Sequence, residues 1–339
     1  MANTNKNPLC INELQVHSII KEAPGVTTVN FIAQDFYPYQ AGQYALVSIK
    51  NTPHITRAYS LSSTPGQSRF VTITVREIEG GVGSSWLNND VKVGDQVWFS
   101  DPMGEFSCQQ VIADNYLLVG AGSGVTPIMS MARWLLNNRP ETNVTVIHSV
   151  HSPNDVIFKQ EWAELKAQFP RLNLVINASV DATEGFESGR ISQEIIRKAV
   201  PNIADYTVMT CGPQAYMDAL KEIVLSLGVS EDRFFTEAFF DTALASEISS
   251  DEKTTLTING VSQIKAEVPV GMTLLSALEA QEQAVVSGCR TGLCGLCKTQ
   301  VTGGEYEVVK TGDLTPEEIA QGYVLACSCR VKADVSVNI

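Results

Sequence analysis

Short alternating runs of apolar and polar residues dominate the first hundred residues of the chain. Stretches such as VTTVNFIAQ, YALVSIK, RFVTITVREI and QVWFSD are separated by Gly, Pro, Asn and Asp. A period of two residues places the apolar side chains on one face of a strand, and the interrupting residues are typical of turns. The pattern over residues 11–106 therefore predicts a small antiparallel β-barrel.

The pattern changes in the middle of the chain, where apolar strands alternate with amphipathic helices. The stretch NYLLVGAGSGVTPIMSMARWLL runs from a strand through three glycines into a helix, and similar pairs follow as far as residue 235. Strands that alternate with helices indicate a parallel sheet covered by helices on both faces. The polar stretch ALASEISSDEK after it is typical of a linker.

The C-terminal part of the chain has a third pattern. TTLTINGVSQIKAEVP alternates like a hairpin, and GMTLLSALEAQEQ follows as a helix with Thr273 as its N-cap. The chain is thus predicted to contain an antiparallel barrel, an α/β domain with a parallel sheet, and a C-terminal α+β domain. The predicted boundaries are 8–109 and 110–240 for the first two domains, 241–252 for the linker and 253–339 for the last domain.

Composition and charge narrow the classes of partner. The net charge is −13 and no long segment is basic, which argues against nucleic acid because phosphates need a positive face. The first residues, MANTNKNPLCINELQV, carry no apolar signal, and YLLVGAGSGVTPIMSM is too short and too rich in glycine to span a bilayer. We therefore expect a cytoplasmic protein with neither a membrane nor a nucleic-acid partner.

Three of the eight cysteines fall within SGCRTGLCGLCK, at positions 289, 294 and 297. The spacing C-x4-C-x2-C followed by a distant cysteine is that of a plant-type 2Fe–2S site, and VLACSC supplies Cys327 and Cys329 as candidates. A structural zinc site is an alternative, although zinc ribbons favour two well-separated pairs. Disulfides are disfavoured by a reducing cytoplasm and by the tight loop.

Residues 253–339 resemble a plant-type ferredoxin domain, which has a β-grasp fold. The resemblance is carried by the hairpin, the helix, the cysteine loop and the element Leu325-Ala326-Cys327. It implies a 2Fe–2S cluster held by Cys289, Cys294, Cys297 and Cys327. By the same resemblance Cys329 is not a cluster ligand, and no spacing pattern indicates Cys10 or Cys108 as one.

Two motifs in the barrel region, RAYSLSS and GGVGSSWL, resemble the flavin domain of the ferredoxin–NADP reductase superfamily. The resemblance implies that Arg57 binds a flavin phosphate, that Tyr59 stacks on the ring and that Ser60 lies near its reactive nitrogen. Gly83, Ser84 and Ser85, opening a helix SSWLNN, would face the pyrophosphate. The full set of predicted flavin contacts is Arg57, Ala58, Tyr59, Ser60, Val75, Gly83, Ser84, Ser85 and Phe239. FAD is expected, although the R-x-Y-S motif alone does not separate FAD from FMN.

The glycine stretch GAGSGVTP departs from the Rossmann fingerprint, since Pro127 stands near the third glycine and no acid ends the strand NVTVIHSV. In the reductase superfamily, however, GAGSGVTP and a later Cys-Gly-Pro are the expected nicotinamide motifs. The implied NADH contacts are Gly120, Gly122, Ser123, Gly124, Thr126, Cys211, Gly212 and Pro213. Asp181 and Glu184 favour NADH, because acidic side chains repel the 2′-phosphate of NADPH.

Three residues are predicted to be catalytic. Ser60 and Cys211 come from the motifs above, and Glu237 comes from EAFF, where relatives often place a glutamate and an aromatic residue over the flavin. The aromatic candidate in this stretch is Phe239. A core position is the alternative for both EAFF residues.

Across essentially the whole chain the sequence resembles the NADH oxidoreductases that reduce the hybrid-cluster protein. The resemblance implies electron flow from NADH to FAD, then to the 2Fe–2S cluster, and then to that protein or to another one-electron metalloprotein. It also implies a role in nitric oxide or nitrogen-oxide metabolism. Two alternatives stay open: the reductase component of a ring-hydroxylating or demethylating oxygenase, and a non-catalytic redox sensor.

Overall fold

The protein is described from a computed structural model, which covers residues 7, 9–52, 55–239, 252–283, 285–288, 290, 292, 295–312 and 314–339. The chain groups into two compact units. The larger contains residues 10–50 and 59–238, and the smaller contains the described parts of 1–9, 51–58 and 239–339. The predicted linker 241–252 lies outside the described residues except for Glu252. The domain boundaries stay predictions, because the larger unit contains the whole second sheet and all of the first except residues 56–58.

The first sheet is antiparallel and closes into a barrel, as the alternating pattern predicts. Its strands run in the order β4–β3–β6–β1–β2–β5, and a bridge between Leu61 and Ile73 links the chain after β4 to β5. The rings of Phe31 and Phe99 meet edge to face in its core, 4.9 Å apart. The strands are β1 (Asn12–Ala23), β2 (Val26–Ala33), β3 (Tyr44–Ser48), β4 (Thr56–Ser60), β5 (Val71–Arg76) and β6 (Gln96–Phe99).

The helix predicted from SSWLNN differs from the observed element. A single helical turn, α1 (Val82–Ser85), is followed by a wider π-type turn over Trp86–Asp90. The buried amide of Asn88 donates to the backbone oxygens of Ser84 (2.9 Å) and Val75 (3.2 Å). This side chain occupies acceptors of the turn and ties it to β5, which accounts for the short helix.

The second sheet is parallel throughout, with strands in the order β10–β9–β8–β7–β11–β12. The order reverses between β7 and β11, and ligands of open α/β sheets bind at the carboxyl ends of strands on either side of such a reversal. The strands are β7 (Asn115–Ala121), β8 (Asn143–Val150), β9 (Asn173–Ala178), β10 (Glu187–Ser188), β11 (Thr207–Gly212) and β12 (Phe234–Ala238). The helices are α2 (Val125–Asn138), α3 (Lys159–Gln168), α4 (Gln193–Ala199) and α5 (Gln214–Ser226).

The third sheet belongs to the smaller unit and is mixed, in the order β14–β13–β17–β15–β16 with β13 and β17 parallel. Leu274, Leu275 and Leu278 of helix α6 are buried in its core. Thr273 caps that helix as predicted, its hydroxyl accepting from Ser276 N at 3.2 Å. The elements are β13 (Lys253–Asn259), β14 (Ile264–Pro269), α6 (Leu274–Ala280), β15 (Lys298–Val308), α7 (Pro316–Ala320), β16 (Tyr323–Leu325) and β17 (Cys329–Asn338). The predicted fold class is confirmed for all three parts.

Candidate active site and metal centre

Three residues from distant parts of the sequence lie side by side at the carboxyl ends of neighbouring parallel strands. Cys211 of β11 pairs with Gly120 of β7 on one side and with Glu237 of β12 on the other. The row lies at the point where the strand order reverses. The structure thus brings together one predicted nicotinamide glycine and two predicted catalytic residues.

The glycine loop after β7 packs directly on β11. A Cβ atom at Gly124 would lie 2.1 Å from the backbone oxygen of Cys211, so only glycine fits this approach. The loop leads into the fourteen-residue helix α2, and its first turn is tightened by Thr126, whose hydroxyl donates to Ser123 O at 3.0 Å. The N-terminus of such a helix presents backbone N–H groups and a positive dipole end, which suit a phosphate.

Glu237 is joined to Ser60 by a hydrogen bond. The buried Ser60 hydroxyl donates to Glu237 Oε2 at 3.2 Å, so the last residue of β4 meets the end of β12. Burial raises the pKa of the Glu237 carboxyl to about 8, and the Ser60 hydrogen bond opposes part of the increase. At neutral pH the carboxyl is therefore mostly protonated, and the pair can hold a proton at Oε2.

Cys211 is completely buried. Burial, with a smaller contribution from the Glu237 charge, raises the pKa of its thiol well above the usual value. The side chain is thus a neutral thiol and not a nucleophilic thiolate. Ser60, Cys211 and Glu237 together form an uncharged polar set at neutral pH, a surrounding that suits the flat ring system of a flavin or nicotinamide.

The other predicted flavin residues occupy separate positions. Val75 is buried in β5, and Tyr59 is partly exposed one residue before Ser60. The hydroxyl of Ser84 donates to Gly81 O at 3.2 Å and accepts from Ile78 N at 3.0 Å, so it stabilises its own loop. Arg57, Ala58 and Phe239 belong to the smaller unit.

Within the smaller unit, two predicted cluster ligands lie close together. Cys297 immediately precedes β15, Cys327 lies in the turn between β16 and β17, and both are buried. Cys327 N donates to Cys297 Sγ at 3.5 Å, and Gly292 N donates to Cys327 Sγ at 3.2 Å. Backbone donors aimed at sulfur stabilise thiolate ligands, so these residues fit a 2Fe–2S cluster. The other two predicted ligands, Cys289 and Cys294, lie outside the described residues.

The remaining cysteines are packing residues in their observed environments. Cys329 is fully buried in the core of the smaller unit, and Cys10 and Cys108 are buried in the larger one. Burial raises the pKa of each of these three thiols to about 12.

Gly292 has φ 74°, and a Cβ there would lie 2.8 Å from that of Ser328, so the loop fits closely against the Cys327 turn.

Two charged residues beside the cysteine loop were not predicted from the sequence. Glu279 of α6 accepts from both terminal nitrogens of Arg290, at 2.5 and 3.0 Å, and from Arg57 Nη1 at 3.4 Å. A charged residue among the apolar positions of LLSALEA was the available signal.

His148 was also not predicted from the sequence. It pairs with Gly120 across β7 and β8 and is fully buried. Burial lowers the pKa of its imidazole to about 4, so the side chain is neutral.

Family comparisons agree with this division of the chain. Residues 32–108 match the family described as oxidoreductase FAD-binding domain, residues 118–222 match the oxidoreductase NAD-binding domain, and residues 256–332 match the 2Fe–2S iron–sulfur cluster binding domain. The chain therefore carries the domains for FAD, NAD and a 2Fe–2S cluster. Within the ranges described above, no helix combines the length and apolarity needed to cross a bilayer.

Several relatives align with nearly the whole chain. The chain is 50% identical to the protein named NADH oxidoreductase HCR of Escherichia coli (strain K12), over 96% of this chain and 97% of that protein. It is 28% identical to a glycine betaine monooxygenase reductase subunit of Pseudomonas aeruginosa, over 94% and 93%. The solved structure of phthalate dioxygenase reductase superposes with a TM-score of 0.73 at 25% identity, covering 96% of this chain and 97% of that one.

Proposed function

Because the chain belongs to the family of the Escherichia coli NADH oxidoreductase HCR, we propose that its electron acceptor is the hybrid-cluster protein. The chain is an electron-transfer reductase with FAD, NAD and 2Fe–2S domains. The observation that carries this proposal is the identity of 50% across nearly the full length of both chains. The corresponding role would be in nitric oxide or nitrogen-oxide metabolism.

The residues of the hydride-transfer site have distinct proposed roles. Bound FAD would supply the hydride acceptor for NADH and the means of passing electrons on singly. Tyr59 would stack on the flavin ring, and Ser60 and Glu237 would hold a proton beside its reactive nitrogen. Cys211 would lie against the nicotinamide as a neutral thiol, because burial raises the pKa of this thiol well above its usual value. The hydrogen bond from Ser60 to Glu237 Oε2 and the raised pKa of Glu237 support this assignment.

Phosphate groups are assigned to two regions. The proposed NADH contacts are the glycine loop and the Cys-Gly-Pro turn, supported by the packing of Gly124 on Cys211. The flavin phosphate is assigned to Arg57, whose guanidinium suits a forked contact with phosphate oxygens. Gly83 and Ser85 stay proposed pyrophosphate contacts, whereas Ser84 would contribute through its backbone because its hydroxyl is used within the loop. Ala58, Val75 and Phe239 stay proposed flavin contacts.

The proposed cluster ligands are Cys289, Cys294, Cys297 and Cys327. The hydrogen bond from Gly292 N to Cys327 Sγ supports Cys327, and the packing of Cys329 in the core supports leaving it out. The four thiolates would hold a cluster with a reduction potential of about −400 mV, as plant-type centres do. Asp181 and Glu184 are exposed acids, and they support NADH as the donor.

The acceptor is tested by mixing the anaerobic, NADH-reduced protein with two oxidised partners in a stopped-flow instrument. One is the hybrid-cluster protein and the other is the oxygenase component of glycine betaine monooxygenase. We expect fast reduction of the hybrid-cluster protein and slow reduction of the oxygenase. Faster reduction of the oxygenase would support the alternative reading that the relatives at 28% identity suggest. A failure of NADH to reduce either partner or any artificial one-electron acceptor would favour the redox sensor.

A further inference from the structure

A carboxylate lies between two arginines in the smaller unit, beside the predicted cluster loop. The side chain of Glu279 is only 10% exposed, and those of Arg57 and Arg290 are 24% and 19% exposed. Arg57 is the proposed ligand of the flavin phosphate, and Arg290 follows the proposed cluster ligand Cys289 in the sequence. A single acid thus contacts one residue from each of the two cofactor motifs.

The two contacts differ in geometry. Arg290 binds both oxygens of Glu279, with Nη1 at 2.5 Å from Oε1 and Nη2 at 3.0 Å from Oε2. Arg57 shares Oε1 through Nη1 at 3.4 Å, and the same nitrogen donates to Thr56 O at 2.8 Å. The forked pair with Arg290 is the stronger arrangement, because two parallel charge-assisted hydrogen bonds fix both the distance and the plane.

The forked pair also restrains the backbone at Arg290. That residue has φ 57°, in the left-handed region that side chains other than glycine rarely adopt. Such a conformation persists only where its surroundings hold it. A bidentate contact to a nearly buried acid on helix α6 provides such a restraint in the loop between Cys289 and Gly292.

A second hydrogen bond joins the same two segments. The hydroxyl of Thr56, one residue before Arg57, donates to Ser287 O at 2.8 Å, two residues before Cys289. The start of β4 is therefore tied to the cysteine loop at two points, through Thr56 with Ser287 and through Glu279 with the two arginines. Arg57 and Arg290 thus share one acid, Glu279, which holds Arg290 through its forked contact.

We propose that Glu279 is a positioning residue that couples flavin binding at Arg57 to the conformation of the cysteine loop at Arg290. Both guanidinium groups contact the same carboxylate, so a phosphate bound by Arg57 would share that arginine with Glu279. Binding of FAD and retention of the cluster should then favour each other by the same factor, since coupling between two sites is reciprocal. This inference rests on the proposed role of Arg57 in the flavin site.

The test measures both directions of the coupling in full-length protein. FAD affinity is measured by quenching of flavin fluorescence, in protein with the cluster and in the cluster-free C294S variant. Loss of iron to a chelator is followed separately, with and without bound FAD. With Glu279 present, we expect cluster loss to weaken FAD binding about fivefold. We also expect bound FAD to slow the loss of iron. In E279Q both effects should fall below about twofold.

Two further variants control the comparison. E282Q removes an exposed carboxylate three residues further along and should keep the wild-type coupling. R290K removes the bidentate contact with Glu279 from the arginine side while keeping the positive charge, and it should lose the coupling as E279Q does. Because two different variants are compared, a folding defect in one of them does not decide the result. Full coupling in E279Q and R290K would overturn the inference. It would also be overturned if these variants bound both FAD and iron more weakly while the coupling between the two stayed unchanged.

Failure of the inference is distinguishable from failure of the proposed flavin site. If R57A leaves FAD affinity unchanged, the assignment of Arg57 to the flavin phosphate is wrong and the inference falls with it. If R57A weakens FAD binding while E279Q keeps the full coupling, only the role of Glu279 is wrong.

Discussion

Replacement of Glu237 by Gln should abolish an ionisation near pH 8 in the reaction with NADH. Burial raises the pKa of this carboxyl from 4.5 to about 8, against the opposing hydrogen bond from Ser60. At about 1.4 kcal/mol per pH unit, ionisation is disfavoured by up to about 5 kcal/mol relative to water, and the partial exposure of the side chain reduces that figure. At pH 7 the protonated form of Glu237 therefore predominates.

The assay is the rate at which NADH bleaches the bound flavin, followed anaerobically from about pH 6 to pH 9.5. The wild type should show an inflection near pH 8, and E237Q should show none there. S60A should move the inflection to higher pH, because the Ser60 hydrogen bond lowers the pKa of Glu237. E231Q is the matched control, since Glu231 is an exposed acid just before β12. An inflection that persists in E237Q would refute the assignment.

The same ionisation gives stability a pH dependence of known sign. The folded state binds the proton more tightly than the unfolded state, so this contribution is complete below pH 4.5 and is lost as the pH rises through about 8. Between those values the thermal midpoint of E237Q should therefore rise relative to that of the wild type. A constant difference across this window would contradict the raised pKa.

Three other substitutions test separate parts of the account. C294S should lose the 2Fe–2S cluster and the reduction of a metalloprotein while keeping NADH-driven flavin reduction; partner reduction at the wild-type rate would exclude the serial path. R57A should weaken FAD binding by at least about tenfold, the loss of a charge-assisted contact worth about 1.5–3 kcal/mol, and titration with FAD measures it. G124A should raise the KM for NADH and lower stability by about 1–3 kcal/mol, because its Cβ would meet Cys211 O at 2.1 Å. G303A is its control, since a Cβ at Gly303 would meet nothing within 4 Å and this residue lies outside the proposed NADH contacts.

Local patterns were sufficient to predict the first two sheets, whereas the β-grasp fold of the third was implied by the resemblance to ferredoxin domains. A period of two residues determines which face of a barrel strand is buried, and strand–helix alternation requires parallel strands. The position of Gly120 beside Cys211 was also accessible, because both follow apolar strands and carboxyl ends of parallel strands share one edge of the sheet. The motifs therefore indicated which strand ends lie together, and the role of that edge in binding the nicotinamide stays a prediction.

Long-range electrostatics could not be obtained in that way. The raised pKa of Glu237 depends on burial and on Ser60, which is far away in the sequence. Glu279 and Arg290 look like ordinary surface charges until the fold brings helix α6 against the cysteine loop. The hydroxyl of Ser84 was assigned to a phosphate from its motif, whereas the loop uses it to bind Ile78 and Gly81.

The central claim is that electrons pass from NADH through FAD to the 2Fe–2S cluster within one chain. An anaerobic titration of the purified protein with NADH, followed by visible absorption and EPR, tests it most directly. The account predicts that the flavin bleaches and that the EPR signal of a reduced 2Fe–2S centre appears, with iron analysis giving about two iron atoms per protein chain. Bleaching of the flavin while an iron-replete cluster stays oxidised, although dithionite reduces it, would contradict the claim.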